Sequence, residues 1–85
     1  MSYRIVFTEE AHKDIKKLDV TVQRQLHKKF LFFQNVDDIK VVAKKLNNHK
    51  AGEYRLRVGS LRVIFDLHKH TLIILRVQHR KDVYR

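Results

Sequence analysis

The chain has 85 residues with no cysteine, no proline and two glycines, so we expect one small domain spanning residues 1–85. Without cysteine, disulfides, thiolate zinc sites and cysteine nucleophiles are excluded. Nineteen Lys and Arg against nine Asp and Glu give a formal net charge of +10, which favours a polyanionic partner such as a nucleic acid or an acidic protein. Apolar runs of at most four residues and the charged Arg4 argue against a membrane span and a signal peptide, so we expect a cytoplasmic protein.

The first residues predict a strand followed by a short helix. Tyr3–Phe7 is rich in strand-forming residues, and Thr8 is a good N-cap for a helix. Behind this cap, Ala11, Ile15 and Leu18 recur at helical spacing.

A longer second helix is predicted after Asp19, which is a typical N-cap residue. Its apolar stripe consists of Val22, Leu26, Phe30 and Phe33. The helix should end near Gln34–Asn35, because Asn and Asp residues follow directly. We expect Asp37 or Asp38 to cap one more short turn, which continues as far as Leu46.

The second half predicts three strands. Apolar and charged residues alternate over Tyr54–Val58 and again over Leu61–Leu67, and Gly59-Ser60 between them is a two-residue hairpin signal. The segment from Thr71 to Gln78 is almost continuously apolar, which is typical of an interior strand. The predicted order is β-α-α-β-β-β, an α+β fold with two N-terminal helices packed on a small, mainly antiparallel, twisted sheet.

The first hairpin predicts a site for an anion. If Gly59-Ser60 is the whole loop, Val58 pairs with Leu61 and every apolar residue of the hairpin lies on one face. Arg57 and Arg62 then stand directly opposite each other on the other face, where like charges are destabilising. A bound phosphate would remove this repulsion.

The second hairpin predicts which residues surround this arginine pair. If Leu67 pairs with Leu72, strict alternation pairs Arg62 with Val77 and puts His79 on the Arg62 face. A three-residue loop would reverse this parity. Arg76, within the apolar strand, is more typical of a structural ion pair, with Asp66 or Glu10 as its partner.

These residue types suit cleavage of RNA without a metal or another cofactor. The attacking 2′-hydroxyl needs a base, for which His79 is suited near neutral pH. The pentacoordinate phosphate needs fixed positive charge, which guanidinium groups supply. Tyr84, near the end of the chain, is suited to stacking on a base or to donating a proton.

Two segments resemble a known family. Gly52–Phe65, with the signature EYRLRVG, and Leu75–Tyr84, with the signature HRKDVY, are similar to the RelE branch of the RelE/ParE toxin superfamily. The resemblance extends over nearly the whole chain. It implies a cytoplasmic type II toxin that cuts mRNA in the ribosomal A site, contacts ribosomal RNA there and is held inactive by a bound antitoxin.

The resemblance also implies roles for individual residues. Arg62 matches the family's catalytic arginine, Tyr84 matches its C-terminal tyrosine, and Arg55 lies at a basic strand position. Glu53 departs from the pattern, because it occupies the preceding basic position and a lysine base is missing, so His79 or Arg80 would have to serve. In this scheme Arg62 and Arg55 hold the scissile phosphate, and His79 moves the proton. The RNA backbone is neutralised by Arg57, Arg80 and Lys81.

Two alternatives remain open on the sequence alone. A ParE-like inhibitor of gyrase would have the same fold without nuclease chemistry, since a fold does not dictate a function. A degenerate toxin that only binds a partner is the other alternative, and Glu53 is the departure that motivates it. In each case we expect an acidic, partly disordered antitoxin to fold onto the basic surface.

Overall fold

A computed structural model describes residues 2–46 and 52–79, so the predictions on Arg80, Lys81 and Tyr84 lie outside the described residues. The elements, in chain order, are β1 (Arg4–Phe7), α1 (Glu9–Lys16), α2 (Val20–Gln34), α3 (Ile39–Val42), β2 (Lys44–Lys45), β3 (Tyr54–Val58), β4 (Leu61–His68) and β5 (Thr71–His79). In the part of the chain that the structure describes, no helix is long and apolar enough to cross a membrane.

The five strands form one sheet in the order β1-β5-β4-β3-β2. Strand β1 runs parallel to β5, and the other neighbouring strands are antiparallel. The predicted α+β class is therefore confirmed, as is the interior position of β5. The four-residue α3 is the short turn expected after α2, and the two-residue β2 is an addition to the predicted order.

The helix boundaries follow the capping signals closely. Thr8 is the N-cap of α1 and its Oγ1 accepts a hydrogen bond from the Ala11 N–H at 3.1 Å. Asp19 occupies the N-cap position of α2 but makes no capping hydrogen bond. The Gln23 amide instead donates to the Ile15 and Leu18 carbonyls at 3.0 and 2.9 Å, which ties the start of α2 to the end of α1.

The segment after α2 differs from the prediction. Asp38 does cap a short helix, because its Oδ1 accepts from the Lys40 N–H at 3.0 Å. The helix ends at Val42 rather than near Leu46, since Lys44–Lys45 pairs with β3 and the Leu46 N–H donates to the Glu53 carbonyl at 2.9 Å. Backbone pairing with a distant strand has replaced the helical hydrogen bonds of this segment.

The hydrophobic core lies between the helices and one face of the sheet. Its fully buried side chains include Phe65, Leu26, Ile39, Leu72 and Ile74. Burying large apolar side chains of this kind contributes about 1.5–3 kcal/mol each relative to exposure. Tyr3 closes one end of the core, and its hydroxyl oxygen accepts a hydrogen bond from the Ile39 N–H at 3.0 Å.

The register of β3 on β4 is the predicted one. Val58 pairs with Leu61, Arg57 with Arg62 and Tyr54 with Phe65, across a turn whose first residue, Gly59, has φ of 58°. The positive φ explains why glycine occupies this position in a two-residue turn.

The register of β4 on β5 begins as predicted and then shifts. Leu67 pairs with Leu72, but Phe65 pairs with Ile74 and Ile64 with Arg76, so Leu75 is an extra residue in β5. This β-bulge changes the parity of every later residue in the strand. The predicted pairing of Arg62 with Val77 is therefore wrong, and Arg62 pairs with Gln78.

Helix α1 explains how the bulge is accommodated. Beyond the end of β1, no strand among residues 2–46 and 52–79 pairs with the edge of β5, and side chains from α1 and its cap take that place. The Thr8 hydroxyl donates to the Leu75 carbonyl at 3.0 Å, and the Asp14 carboxylate accepts from the Val77 N–H at 3.0 Å. The bulged backbone is thus satisfied by groups that are 67 and 63 residues distant along the chain.

Candidate functional site

The face of the sheet opposite the helices carries a group of basic side chains. We call this group the cationic face; its members are Lys44, Arg55, Arg57 and Arg62. Lys44 pairs with Arg55, and Arg57 pairs with Arg62, so side chains of each pair project to the same side of the sheet. Both pairs bring like charges together, as predicted for the second of them.

Arg62 is a half-buried member of the cationic face. Its Nε is buried and has no hydrogen-bond partner among residues 2–46 and 52–79. Within the same residues, no carboxylate oxygen lies within 4.0 Å of the charged nitrogens of the cationic face. A buried N–H without a partner costs about 1–3 kcal/mol, and a shift of the Arg62 side chain that brings this N–H to a bound anion would recover that energy. The arrangement favours binding of an oxyanion between Arg57 and Arg62.

Glu53 has a structural explanation. Its backbone N–H donates to Asp66 Oδ1 at 2.9 Å, while its own Oε1 accepts from the Leu67 N–H at 3.3 Å. These reciprocal bonds join the residue before β3 to the end of β4. A carboxylate at this position accepts a backbone hydrogen bond that a lysine ammonium could not accept.

Gly52 packs directly over the uncharged part of the same face. A Cβ at this residue would lie 2.6 Å from Ile64 Cγ2 and 2.9 Å from Leu75 Cδ1, and its φ is 147°. The glycine allows the chain to cover Ile64, which is buried although it lies outside the main core. An apolar floor therefore adjoins the cationic face.

His79 does not lie on the predicted face. It pairs with Leu61, whose side chain belongs to the core side of the sheet, and it lines a cavity of about 110 Å³ with Val22 and Gln25 of α2. The bulge at Leu75 is the cause, because one extra residue turns His79 to the helix side. The prediction that His79 lies on the Arg62 face is therefore wrong.

Arg76 is a structural arginine, as predicted, but its main partner is a residue that sequence reasoning missed. Its Nε and one terminal nitrogen donate to the two Asp14 oxygens at 2.8 and 3.1 Å. Glu10 is a second, more distant partner at 3.8 Å, and the predicted pairing with Asp66 is wrong, since that carboxylate binds Glu53.

The pair also shifts the ionisation of both groups. Burial raises the pKa of Asp14, but hydrogen bonds from Arg76 and Val77 and nearby positive charge outweigh this effect, so the pKa lies below its ordinary value of 3.8. The hydrogen bond to Asp14 raises the pKa of Arg76. Both groups are therefore charged at neutral pH.

Gln78 is the second residue that sequence reasoning missed. It takes the place predicted for Val77 as the partner of Arg62 on β5, and it is half-buried. It also lines a cleft between α1 and the sheet, together with Ile64, Leu75 and Arg76. In the sequence, Gln78 directly precedes the HRKDVY signature, but strict alternation along the strand assigned its side chain to the opposite face from Arg62.

Comparison with known proteins agrees with this architecture. A family model described as the ParE toxin of a type II toxin-antitoxin system, parDE, matches residues 5–84. Toxin RelG of Mycobacterium tuberculosis is 33% identical over 87 residues, covering 100% of this chain and 99% of that protein. Toxin RelE3 of Methanocaldococcus jannaschii is 29% identical over 84 residues, covering 95% of this chain and 94% of that protein.

Solved structures show the same relationship. A chain of the toxin-antitoxin complex RelBE2 from Mycobacterium tuberculosis has a TM-score of 0.77 at 29% identity, covering 94% of this chain and 100% of that one. The isolated RelE toxin of E. coli has a TM-score of 0.72 at 26% identity, covering 98% of this chain and 92% of that one. The chain belongs to the RelE branch of the RelE/ParE superfamily of type II toxin-antitoxin toxins.

Proposed function

We propose that this toxin is a metal-independent endonuclease that cuts mRNA in the ribosomal A site. The observation that carries the proposal is the buried, unpartnered Nε of Arg62 opposite Arg57. A scissile phosphate bound there would receive charge-assisted hydrogen bonds and would relieve the repulsion between the two guanidinium groups.

The reaction follows from the chemistry of RNA. The 2′-hydroxyl oxygen attacks the adjacent phosphorus and loses its proton, and the bond from phosphorus to the 5′-oxygen breaks. The leaving 5′-oxygen takes up a proton, so that a 2′,3′-cyclic phosphate and a 5′-hydroxyl are formed. Negative charge grows on the phosphate oxygens in the transition state, and fixed guanidinium donors stabilise it there more than in the ground state.

The remaining basic residues support this step. Arg55, beside Lys44 on the cationic face, completes the phosphate site, and Arg57, Arg80 and Lys81 neutralise the RNA backbone. Tyr84 stacks on a base or protonates the leaving oxygen. The sheet neighbours of Arg62 are Arg57 and Gln78, neither of which accepts a proton at neutral pH, so the described face contributes electrostatic stabilisation rather than a base.

The same charge provides a route to neutralisation. The relatives above include toxins crystallised in complex with an antitoxin, such as RelBE2. We infer that an acidic antitoxin binds this chain in the cytoplasm and competes with RNA for the cationic face. A net charge of +10 would steer such a partner from a distance.

Cleavage in a cell-free translation extract, with mapping of mRNA 5′ ends, tests the proposal. We expect Arg62→Ala to lower the cleavage rate by about 10²- to 10³-fold, as loss of a transition-state donor does. Arg24→Ala removes the same charge from an exposed position on α2 and should cleave at close to the parent rate. A folded Arg62→Ala protein that cleaves as fast as the parent would overturn the assignment.

The same assay tests the proton transfer first predicted for His79. The His79 side chain lies on the helix side of the sheet. We therefore expect the fold-loss in cleavage rate for His79→Gln to be at least about tenfold smaller than the fold-loss for Arg62→Ala. Equal losses of cleavage rate in the two folded variants would show that His79 takes part in the reaction.

Inhibition of gyrase is the second candidate, because the matching family model is described as a ParE toxin. Supercoiling of plasmid DNA by gyrase with the protein added distinguishes it from the nuclease. Gyrase inhibition without new mRNA ends would favour it. Absence of both effects, and of growth arrest on expression without antitoxin, would favour a partner-binding module.

A further inference from the structure

We propose that the cleft between α1 and the sheet binds a nucleobase that carries an exocyclic amino group, in preference to uracil. The proposal rests on the proposed function, because the phosphate of the same nucleotide would lie at Arg62. It adds a base-recognition site formed by Glu9, Glu10 and Gln78.

The cleft has the size and lining of a base-binding site. Its volume is about 750 Å³, and the side chains of Ile64 and Leu75 form an apolar part of its surface. Glu9 and Glu10, in the first turn of α1, also line the cleft, where they lie 3.8 Å from the charged nitrogens of Lys13 and Arg76. These distances are too long for hydrogen bonds, so both carboxylates can still accept from a ligand. A planar base can pack its face on the apolar part while its edge reaches the polar groups.

The position of the cleft matches a phosphate bound on the cationic face. Gln78 lines the cleft and pairs with Arg62 on the neighbouring strand. Neighbouring strands lie about 4.8 Å apart, so the cleft begins one strand away from the buried, unpartnered Nε of Arg62. Base and phosphate of one nucleotide can therefore occupy the two sites together.

The carboxylates determine which base fits. Ionised Glu9 and Glu10 only accept hydrogen bonds, so they bind the amino groups of cytosine, adenine or guanine. Uracil has no amino group, and its single edge donor, the ring N3–H, lies between two carbonyl oxygens that the carboxylates repel. Glu9, Glu10, Lys13 and Arg76 together give the lining of the cleft no net charge, whereas the cationic face attracts the phosphate of the nucleotide toward Arg62.

Arg76 makes one wall of the cleft and is held in place. Its bidentate hydrogen bonds to Asp14, at 2.8 and 3.1 Å, orient the guanidinium plane. An oriented guanidinium is a stacking surface for a base, and less conformational entropy is lost on binding than with an unpaired side chain. The structural ion pair therefore contributes to the proposed site.

Titration of the isotope-labelled full-length protein with CMP, UMP and ribose 5-phosphate, followed by amide NMR, tests the proposal. We expect all three to shift the Arg57 and Arg62 amide signals, and CMP alone to shift those of Thr8 and Gln78 strongly. CMP should bind about tenfold more tightly than UMP, as one good amino-carboxylate contact provides.

Variants assign the preference to the carboxylates. The isosteric double variant Glu9→Gln/Glu10→Gln should reduce the difference between CMP and UMP to less than about twofold while ribose 5-phosphate binds as before. Asp37→Asn removes an exposed carboxylate outside the cleft and should retain the preference. The amide spectrum of each variant shows directly whether it is folded.

The outcomes separate the two proposals. Equal affinities for CMP, UMP and ribose 5-phosphate, with shifts at Arg57 and Arg62 only, would overturn base recognition and leave the phosphate site intact. No shift at Arg62 with any of the three would overturn the phosphate site itself. A preference for CMP that survives in the double variant would exclude the carboxylates as its cause.

Discussion

The Asp14 carboxylate holds Arg76 by two hydrogen bonds, at 2.8 and 3.1 Å, and the neighbouring Val77 N–H by a third, at 3.0 Å. One side chain of α1 thereby replaces the missing strand along the edge of β5. This contact holds the strand just after the bulge, in the register in which Gln78, rather than Val77, pairs with Arg62.

Loss of this contact should cost stability in a pH-dependent way. We expect Asp14→Asn to lower the free energy of unfolding at pH 7 by about 1–2 kcal/mol, the low end for charged hydrogen bonds, because the Arg76 side chain is 42% exposed. The folded-state pKa of Asp14 is lowered, so its contribution is complete above the ordinary value of 3.8 and is lost as the pH falls through the folded-state pKa.

Urea unfolding of both proteins between pH 7 and pH 3 measures this effect. The difference between them should shrink as the pH falls below about 4. A difference that stays constant over this range would mean that the shape of the Asp14 side chain, rather than its charge, stabilises the fold.

Gly52 should be far less tolerant of substitution than Gly59. We expect Gly52→Ala to lower the free energy of unfolding by about 2 kcal/mol or more, because its Cβ would overlap Ile64 and Leu75 at a φ of 147°. In Gly59→Ala the new Cβ meets no atom within 4 Å, so the only unfavourable term is the positive φ of 58°, which costs about 1 kcal/mol. Comparison of the two by urea unfolding checks the packing of the 52–53 segment, and equal losses would contradict it.

A carboxylate introduced beside Arg62 should act as an internal competitor for phosphate. Gln78→Glu places an anion directly across from Arg62, so we expect ribose 5-phosphate to bind about threefold to tenfold more weakly. Gln25→Glu makes the same charge change at an exposed position of α2 and serves as the control. Titration at constant ionic strength measures both, and identical affinities for the two variants would show that Gln78 does not adjoin the phosphate.

Binding of RNA should weaken steeply with salt. For a non-cleavable 2′-O-methyl oligonucleotide, the slope of log affinity against log salt should be about −0.7 for each phosphate bound. Arg57→Ala should reduce the magnitude of that slope by about 0.7. Lys28→Ala, at an exposed position of α2, should change the slope little. Fluorescence anisotropy at several salt concentrations measures the slopes, and a slope unaffected by Arg57→Ala would remove this residue from the interface.

Much of the architecture follows from local signals in the sequence. Thr8 caps α1 through a hydrogen bond three residues away, and Gly59-Ser60 with its alternating flanks specifies the register that puts Arg57 opposite Arg62. Such features depend on neighbours in the chain, because a two-residue turn leaves only one register in which all apolar residues share a face. One of the two signatures that resemble RelE toxins, EYRLRVG, lies in the same hairpin.

The neighbours of the arginine pair were decided by tertiary structure alone. The bulge at Leu75 is accommodated because Thr8 and Asp14, more than 60 residues away in the chain, bind the Leu75 carbonyl and the Val77 N–H. No pattern within β5 distinguishes a bulged strand from a regular one. One inserted residue exchanges the two faces, and it thereby moves a histidine away from the cationic face and a glutamine onto it.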